Sequence, residues 1–433
     1  MPAAHVNPSL DSAAERRRHE ALPRAELEKL QLQQLNALLA DILPANRFYA
    51  DKFGNLKLPL TSLTEFAKLP FTTKQEFTAA PQAGMLAVNQ TWPTERYARY
   101  HQTSGTHGRP VVVLETRGDW RWWINVWQSI FDAADVRAGD RVLMAFSFGP
   151  FIGFWSAFDA AVERGCLLLP GGGLSTLARL EMARANGADV IFCTPSYALR
   201  MAEVGASHGL NVGKLGIRQL VLAGEPGGSI PSVRNQIANL WQAHVHDHAG
   251  ATEVGPWGNG DRAGRGLSIL ESDFIAEFYQ PGTETPAAPG ELAELVLTCL
   301  GRRGCPCLRY RTQDLVRARI PAAQESGYVF LDGGILGRAD DMLVIRGVNI
   351  FPSSIDAVVR EFPEIAEYRV TVTTHQAMDQ VSVEVEGTAD LAHKIAETLR
   401  SRLGLKIDVS PVAGESLPRF EGKGKRWIDQ RYK

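Results

Sequence analysis

Residues 142–146 are Val142-Leu143-Met144-Ala145-Phe146, and this apolar run is the first of a series that decides the fold. Similar runs follow at residues 165–170, 188–194 and 220–223, and residues 177–185 between two of them have helical composition. Short apolar strands that alternate with helices favour a parallel α/β sheet. The sequence therefore predicts an α/β fold.

The pattern changes on both sides of this region. Upstream, apolar residues between Leu35 and Ile42 recur at helical spacing, and Pro44 stops that helix. After about Gly258, strand-like runs joined by a loop rich in proline and glycine suggest a β-rich subdomain. From about Gly337, the order strand, helix, strand, strand, helix suggests a small α+β unit. We expect a large domain over residues 1–337, with mostly parallel sheets flanked by helices plus the β-rich subdomain, and a small α+β domain over residues 338–433.

Composition bounds the functional classes. A chain of 433 residues favours two or three domains, and its net charge of −2 gives no electrostatic argument for nucleic acid or an anionic membrane as a partner. Five cysteines in a chain of this length do not form a disulfide framework. The longest uncharged stretch, residues 142–158, is slightly short of a membrane span and is interrupted by glycine and proline. We expect a cytoplasmic protein without a membrane partner.

Residues 103–110 (TSGTHGRP) combine hydroxyls, glycines and one cation just before the apolar run 111–114. Glycines let backbone N–H groups turn towards one point, hydroxyls add donors, and a cation balances phosphate charge. Such a loop can hold the β- and γ-phosphates of a nucleotide, although taken alone it is more often a plain turn.

Further segments downstream give this loop a context. They are residues 250–256 (GATEVGP), 310–315 (YRTQDL), 337–342 (GRADDM), 346–352 (RGVNIFP) and 418–423 (PRFEGK). In this order the set resembles the adenylate-forming superfamily of acyl- and aryl-CoA synthetases, and within it the phenylacetate-CoA ligase family. Residues 22–24, 69–74 and 224–226 also resemble that family, so the resemblance runs from about Leu22 to the C-terminus.

The resemblance implies an enzyme that uses ATP and Mg²⁺ to convert an aromatic, phenylacetate-like carboxylic acid into an acyl-adenylate. The acyl group then passes to coenzyme A. It also implies a mobile C-terminal domain and, because relatives are often dimers, a possible homodimer. Transfer to an amine or a carrier protein is an alternative second step, and a nucleotide-binding protein without turnover is a third interpretation.

The resemblance also assigns residues to the nucleotide. The implied ATP- and AMP-binding residues are Thr103, Ser104, Gly105, Thr106, Gly108, Arg109, Gly224, Glu225, Pro226, Gly250, Ala251, Thr252, Asp314 and Arg338. Glu253 would bind Mg²⁺, which commonly takes one or two carboxylates besides phosphate oxygens. Asp314 would accept hydrogen bonds from the ribose hydroxyls, and Arg338 would approach the phosphates.

Lys423 is the predicted catalytic residue together with Glu253, because it would bridge the attacking carboxylate and the α-phosphate as charge grows there. A solvated basic tail is the alternative interpretation of this segment, and Lys425 is the competitor for the role. Asp340 corresponds to the hinge of the family. Gly347 and Val348 would line a channel for the pantetheine arm of coenzyme A.

Three features depart from the family or leave alternatives open. His107 and Arg109 stand where the family usually has Thr and Lys, and Ala249 stands where an aromatic residue often flanks adenine. The acid pocket could include Phe148, Gly149 and Phe151, but core packing of this aromatic segment is an equal alternative.

A metal site is the remaining alternative. His244, His246 and His248 alternate along a strand-like run, and Cys305 and Cys307 lie in a short loop. The stretch in which some relatives carry a further Cys and His has neither here, so structural zinc is an unlikely cofactor.

Overall fold

The computed structural model describes residues 10–103, 109–146, 148–321, 326–340, 343–345, 348–375, 378–420 and 426–431. Its α-helices are α1 (Ala13–Glu20), α2 (Arg24–Ile42), α3 (Arg47–Phe53), α4 (Leu63–Phe66), α5 (Lys74–Phe77), α6 (Arg117–Ala133), α7 (Ile152–Arg164), α8 (Thr176–Asn186), α9 (Pro195–Ser207), α10 (Pro231–Trp241), α11 (Pro352–Val359) and α12 (Ala389–Leu403).

The strands are β1 (Tyr97–Gln102), β2 (Val112–Thr116), β3 (Arg141–Met144), β4 (Leu167–Pro170), β5 (Val190–Cys193), β6 (Gln219–Leu222), β7 (His244–Ala251), β8 (Gly255–Gly260), β9 (Gly266–Ile269), β10 (Phe274–Tyr279), β11 (Leu292–Cys299), β12 (Tyr310–Arg319), β13 (Phe330–Asp332), β14 (Gly337–Arg338), β15 (Leu343–Ile345), β16 (Val348–Ile350), β17 (Tyr368–His375), β18 (Met378–Glu386), β19 (Asp408–Val412) and β20 (Trp427–Asp429). The predicted α/β class is confirmed.

One sheet runs through the large N-terminal part of the chain. Its strand order is β10-β11-β12-β13-β9-β8-β7-β6-β5-β3-β4, with β14 paired to β12. The five strands β4, β3, β5, β6 and β7 are parallel, and α-helices separate them in sequence. The predicted β-rich region continues the same sheet in antiparallel pairing, and the pairing changes from parallel to antiparallel at β7.

Local sequence explains where the helices begin. The side chain of Thr73 accepts a hydrogen bond from the backbone N–H of Glu76 and so caps α5. Thr116 caps α6 in the same way with Asp119. Helix α9 begins after the cap residue Thr194, with a proline in its first turn.

Buried apolar residues form separate clusters on the two faces of the sheet and at the end of the chain. One cluster packs α6 and α7 against the sheet, and a second packs α8, α9 and α10 against strands β5 and β6. A further cluster contains only residues from Leu343 onwards, among them Val370, Val383 and Ile395. We call residues 343–431 the C-terminal unit. Its four-stranded sheet has the order β19-β18-β17-β20.

We find no helix, within the residues that the structure describes, with the length and apolar character needed to cross a membrane.

Candidate active site

Two of the predicted nucleotide-binding segments, and the cap residue of α9, follow neighbouring parallel strands. Residues 224–226 follow β6, residues 252–253 follow β7, and Thr194 follows β5. Since the carboxyl ends of parallel strands meet at the same edge of a sheet, these segments lie together. The predicted residues Glu225 and Thr252 are therefore brought to one edge.

The turn between β7 and β8 is tight. A Cβ atom on Gly250 would lie 3.1 Å from the carbonyl oxygen of Gly255, and Gly255 itself has a φ of +135°. Glycine at both positions therefore lets the backbone chains approach. Glu253, at the tip, is buried, and the hydroxyl of Tyr310 donates a hydrogen bond to its Oε1 at 3.4 Å.

Arg302 fixes the backbone of this turn through hydrogen bonds. Its Nη1 donates to the carbonyl oxygens of Thr252 at 3.2 Å and of Glu253 at 2.6 Å. Its Nη2 pairs with Glu115, and both side chains of this ion pair are 0% exposed. Charged donors hold carbonyl oxygens more strongly than neutral donors do, so Arg302 orients the segment that carries Glu253.

Sequence reasoning missed this ion pair. Burial raises the pKa of Glu115 to about 7, although Arg302 and a hydrogen bond from Trp123 Nε1 lower it. The only signal in the sequence was a carboxylate inside the apolar run 111–116, because a buried charge needs a partner.

Asp314 and Arg338 face each other in the register of β12 and β14. Arg338 Nη1 lies 3.2 Å from Asp314 Oδ1, and Arg338 Nε lies 2.9 Å from Asp340 Oδ1. The guanidinium of Arg338 therefore contacts both the predicted ribose-binding acid and the predicted hinge residue.

The predicted carboxylates Asp314 and Glu253 interact electrostatically. Burial raises the pKa of Asp314 to about 6, Arg338 lowers it, and the charges of Asp340 and Glu253 raise it further. Glu253 also raises the pKa of Tyr310. Glu253, Tyr310, Asp314 and Arg338 thus form one electrostatic group, which we call the carboxylate cluster.

The loop after β6 contacts the beginning of α9. Glu225 Oε1 accepts a hydrogen bond from the backbone N–H of Ser196 at 2.7 Å. This N–H belongs to the first turn of the helix, where backbone donors lack partners within the helix. Gly224 adopts a φ of +93°, which glycine allows at no steric cost.

Of the predicted phosphate loop, the structure describes Thr103 and Arg109. Thr103 closes the loop, because its N–H donates to the carbonyl oxygen of Val111 and its hydroxyl accepts from the N–H of Val111, both at 3.0 Å. Arg109 is exposed. The predicted residues Ser104, Gly105, Thr106 and Gly108 lie outside the described residues.

His101, two residues before this loop, is a second feature that the sequence did not indicate. Its ring stacks on Trp120 with 5.5 Å between centroids, and neither ring nitrogen has a hydrogen-bond partner among the described residues. Burial lowers the pKa of His101 to about 4, and the charges of Arg302 and Arg99 act in the same direction. The imidazole is therefore neutral at pH 7.

The aromatic segment around the predicted acid pocket divides into buried and exposed residues. Phe148 contacts Trp155, with 4.8 Å between ring centroids, and Trp155 Nε1 donates to the carbonyl oxygen of Gly149 at 2.8 Å. Phe151 is 39% exposed at the start of α7. Phe148 and Gly149 are thus fixed by packing, whereas Phe151 reaches the surface.

Ala249 lies on β7 opposite Gly258. A Cβ atom on Gly258 would lie 2.8 Å from the Cβ of Ala249. The small residue on each strand therefore lets β7 and β8 approach closely at this position.

The predicted catalytic Lys423 and the predicted channel residue Gly347 lie outside the described residues. Val348, the other predicted channel residue, begins β16. Phe420 and Arg426 stand at the two ends of the segment that contains Lys423, and the Arg426 guanidinium lies 5.6 Å from the centre of the Phe420 ring.

Three of the residues considered for a metal, His246, His248 and Cys305, have hydrogen-bond partners in the protein. His248 Nδ1 lies 2.8 Å from the carbonyl oxygen of Gly258, and Cys305 Sγ accepts a hydrogen bond from the N–H of Leu114 at 3.4 Å. Cys305 and Cys307 belong to the main apolar cluster. The part of the chain that the structure describes contains no group of three or more His, Cys, Asp or Glu side chains suited to a metal ion.

A cavity of about 430 Å³ lies at the other end of β8, away from Gly255. Arg17, Asn259, Arg262 and Arg319 line it, and none of the predicted site residues does. It is therefore separate from the carboxylate cluster.

The chain is similar to known CoA ligases over nearly its whole length. Residues 347–431 match the family model of the AMP-binding enzyme C-terminal domain. The chain is 32% identical over 427 residues to the phenylacetate-coenzyme A ligase of Pseudomonas putida, covering 95% of each protein. It is 31% identical over 425 residues to that of Escherichia coli K12, covering 94% of this chain and 95% of the relative.

Solved structures extend the similarity. The structure of 2-hydroxyisobutyryl-CoA ligase in the postadenylation state, in complex with R3-HIB-AMP, is similar with a TM-score of 0.90 and 27% identity, covering 100% of this chain and 96% of that protein. The same ligase in the thioesterification state, in complex with 2-HIB-AMP and CoA, gives a TM-score of 0.73 at 28% identity, with the same coverage. The present arrangement therefore resembles the postadenylation state more than the thioesterification state.

Proposed function

The chain belongs to the phenylacetate-CoA ligase family, and we propose that it joins a phenylacetate-like aromatic carboxylic acid to coenzyme A. It is an AMP-forming acid–thiol ligase. In the first step a carboxylate oxygen attacks the α-phosphorus of ATP, and pyrophosphate leaves. In the second step the thiol of coenzyme A loses its proton and attacks the acyl carbon, so that AMP leaves and a thioester forms.

The carboxylate cluster is the observation that supports this proposal most. Asp314 is a buried acid whose oxygens accept hydrogen bonds, which suits the two ribose hydroxyls. Its pKa is raised to about 6, so it remains mostly ionised at pH 7. Arg338 partly neutralises Asp314 and supplies a cation for the phosphates.

Glu253 is the residue that fits Mg²⁺. One carboxylate together with phosphate oxygens is a sufficient set for this ion, and a single buried carboxylate at the tip of a fixed turn matches that need. When bound, Mg²⁺ neutralises phosphate charge. The chain's own contribution is to orient Glu253, which Arg302 does through the two carbonyl oxygens of the turn.

The ammonium of Lys423 stabilises the negative charge that grows at the α-phosphate and the attacking oxygen in the transition state. Thr103, with the loop that follows it, holds the leaving pyrophosphate. The aromatic segment with Phe148, Gly149 and Phe151 receives the acid, Gly347 and Val348 line the channel for the thiol, and Asp340 serves as the hinge between residues 1–337 and 338–433. A homodimer and a cytoplasmic location complete the proposal.

Product analysis tests the reaction. The protein is incubated with MgATP, coenzyme A and phenylacetate or other aryl acids, and the products are followed by mass spectrometry. We expect an aryl-CoA thioester, AMP and pyrophosphate in equal amounts. An acyl-adenylate that forms without any thioester, or ATP binding without acid-dependent pyrophosphate release, would contradict the proposal.

The role of Lys423 has its own test. Lys423→Ala should abolish acid-dependent pyrophosphate exchange, because the first step loses its transition-state charge. Thioester formation from supplied acyl-adenylate and coenzyme A should largely survive. Lys425→Ala is the matched control, and a larger loss of exchange in that variant would transfer the role to Lys425.

A further inference from the structure

Two arginines that bracket the Lys423 segment contact one face of helix α9. Arg426 Nη1 donates a hydrogen bond to Ser196 Oγ at 2.9 Å. Arg419 Nη2 lies 3.3 Å from Glu203 Oε1. Ser196 and Glu203 are seven residues apart, which is about two helical turns, so they lie on the same face of α9. Arg419 and Arg426 therefore both hold the C-terminal unit against α9.

Each arginine is also anchored within the C-terminal unit. Arg426 Nη2 donates to Glu367 Oε2 at 3.0 Å, and the N–H of Val370 donates to the carbonyl oxygen of Arg426 at 2.8 Å. Arg419 Nη1 donates to Glu386 Oε1 at 2.8 Å. The carboxylates of Glu367 and Glu386 are buried. Both arginines thus keep a partner on their own unit if the contacts with α9 break.

Helix α9 connects this contact to the candidate active site. The N–H of Ser196 donates to Glu225 in the loop after β6, while the hydroxyl of the same serine accepts from Arg426. One residue thus links the predicted nucleotide-binding loop at residues 224–226 with Arg426. A shift of Arg426 away from Ser196 would separate the two.

We propose that Arg419 and Arg426 are positioning residues that dock the C-terminal unit on α9 for acid activation and release it for the thiol step. This inference rests on the proposed function. The similarity of the present arrangement to the postadenylation state of 2-hydroxyisobutyryl-CoA ligase agrees with it, because the docked arrangement is then that of the first half-reaction.

The chemistry of the contacts suits repeated docking. On the side of α9, Arg426 meets a neutral hydroxyl and Arg419 meets a carboxylate that is 36% exposed. Partly exposed ion pairs contribute little, because water screens them. The strong contacts of both arginines lie inside the C-terminal unit, so the unit can leave α9 without exposing an unpaired buried charge.

The double variant Ser196→Ala/Glu203→Ala tests the inference from the side of α9, which leaves the pairs of Arg419 and Arg426 within the C-terminal unit intact. We expect acid-dependent pyrophosphate exchange to fall about tenfold, which corresponds to about 1.4 kcal/mol. Thioester formation from supplied acyl-adenylate should be unchanged or faster. Ser196→Thr keeps the hydroxyl and should retain most of the exchange.

The matched control is Glu181→Ala, which removes an exposed carboxylate, 3.9 Å from Arg184, on the neighbouring helix α8. It should change neither half-reaction. Equal losses in both half-reactions of the double variant, or no loss in either, would overturn the docking role. Wild-type protein that lacks acid-dependent exchange would instead overturn the proposed function, so the two failures are distinct.

Discussion

The buried ion pair of Arg302 and Glu115 allows stability and activity to be separated. Arg302→Met leaves the Glu115 carboxylate, which is 0% exposed, with only the hydrogen bond from Trp123. Removing one partner of a buried ion pair typically costs about 3–5 kcal/mol. Replacing both partners with apolar residues of similar volume is often neutral. We therefore expect Arg302→Met to be strongly destabilised, and Glu115→Leu/Arg302→Met to recover part of that loss, because no buried charge is then left unpaired.

The pyrophosphate-exchange activity of the double variant should not recover together with its stability. In both variants the carbonyl oxygens of Thr252 and Glu253 lose the donors that now lie 3.2 and 2.6 Å away. Hydrogen bonds to charged groups contribute about 1.5–3 kcal/mol each, so acid-dependent pyrophosphate exchange should stay at least about tenfold below wild type. Urea unfolding gives the stability, and exchange at saturating acid gives the activity. A double variant that regains full exchange together with stability would refute the role of Arg302 in fixing the turn.

Three further predictions concern the same region. Asp314→Asn should become more stable than the ligand-free wild type as the pH rises from about 4 to about 6, because the acid has its pKa raised to about 6 in the folded protein and loses its proton near 3.8 in the unfolded chain. The difference in the free energy of unfolding should reach about 3 kcal/mol. Urea midpoints at about pH 5 and pH 7.5 should show this difference growing, and a constant difference would contradict the prediction. Arg338→Gln should raise the pKa of Asp314 further, since Arg338 lowers it in the wild type. The pH midpoint of ATP binding should then move to a higher pH, and an unchanged midpoint would contradict the prediction. Gly255→Ala should lower the free energy of unfolding by about 2–4 kcal/mol, because its φ is +135° and the new Cβ would lie 2.9 Å from Trp122. Gly282→Ala, which has open space around the new Cβ, should lower it by only about 1 kcal/mol. Equal losses of stability would contradict the packing argument.

Much of the fold was predictable because the information is local. The parallel strands β3, β4, β5 and β6 are short, largely apolar runs, and the cap of α5 requires only Thr73 and Glu76. The joining of the parallel and antiparallel strands into one sheet was not predictable, because strand β13 pairs between β12 and β9 across a long stretch of chain.

Part of the candidate site was also predictable from the sequence, and part was not. Glu253 and Asp314 lie in motifs that can be recognised along the sequence, and the structure brings them together. The partners that fix them were missed, because Glu115 and Arg302 are 187 residues apart and Arg426 meets Ser196 across 230 residues. Such pairs depend on tertiary packing, which no local spacing encodes. Phe151 illustrates the converse, since an aromatic residue in an apolar segment proved to be exposed.

The fate of a carboxylate oxygen tests the central claim most directly. Phenylacetate labelled with ¹⁸O in both carboxylate oxygens is turned over with MgATP and coenzyme A, and the products are analysed by mass spectrometry. If the acid attacks the α-phosphorus, AMP should carry a single ¹⁸O atom and pyrophosphate none. Unlabelled AMP, or label in inorganic phosphate formed together with ADP, would contradict activation through an acyl-adenylate.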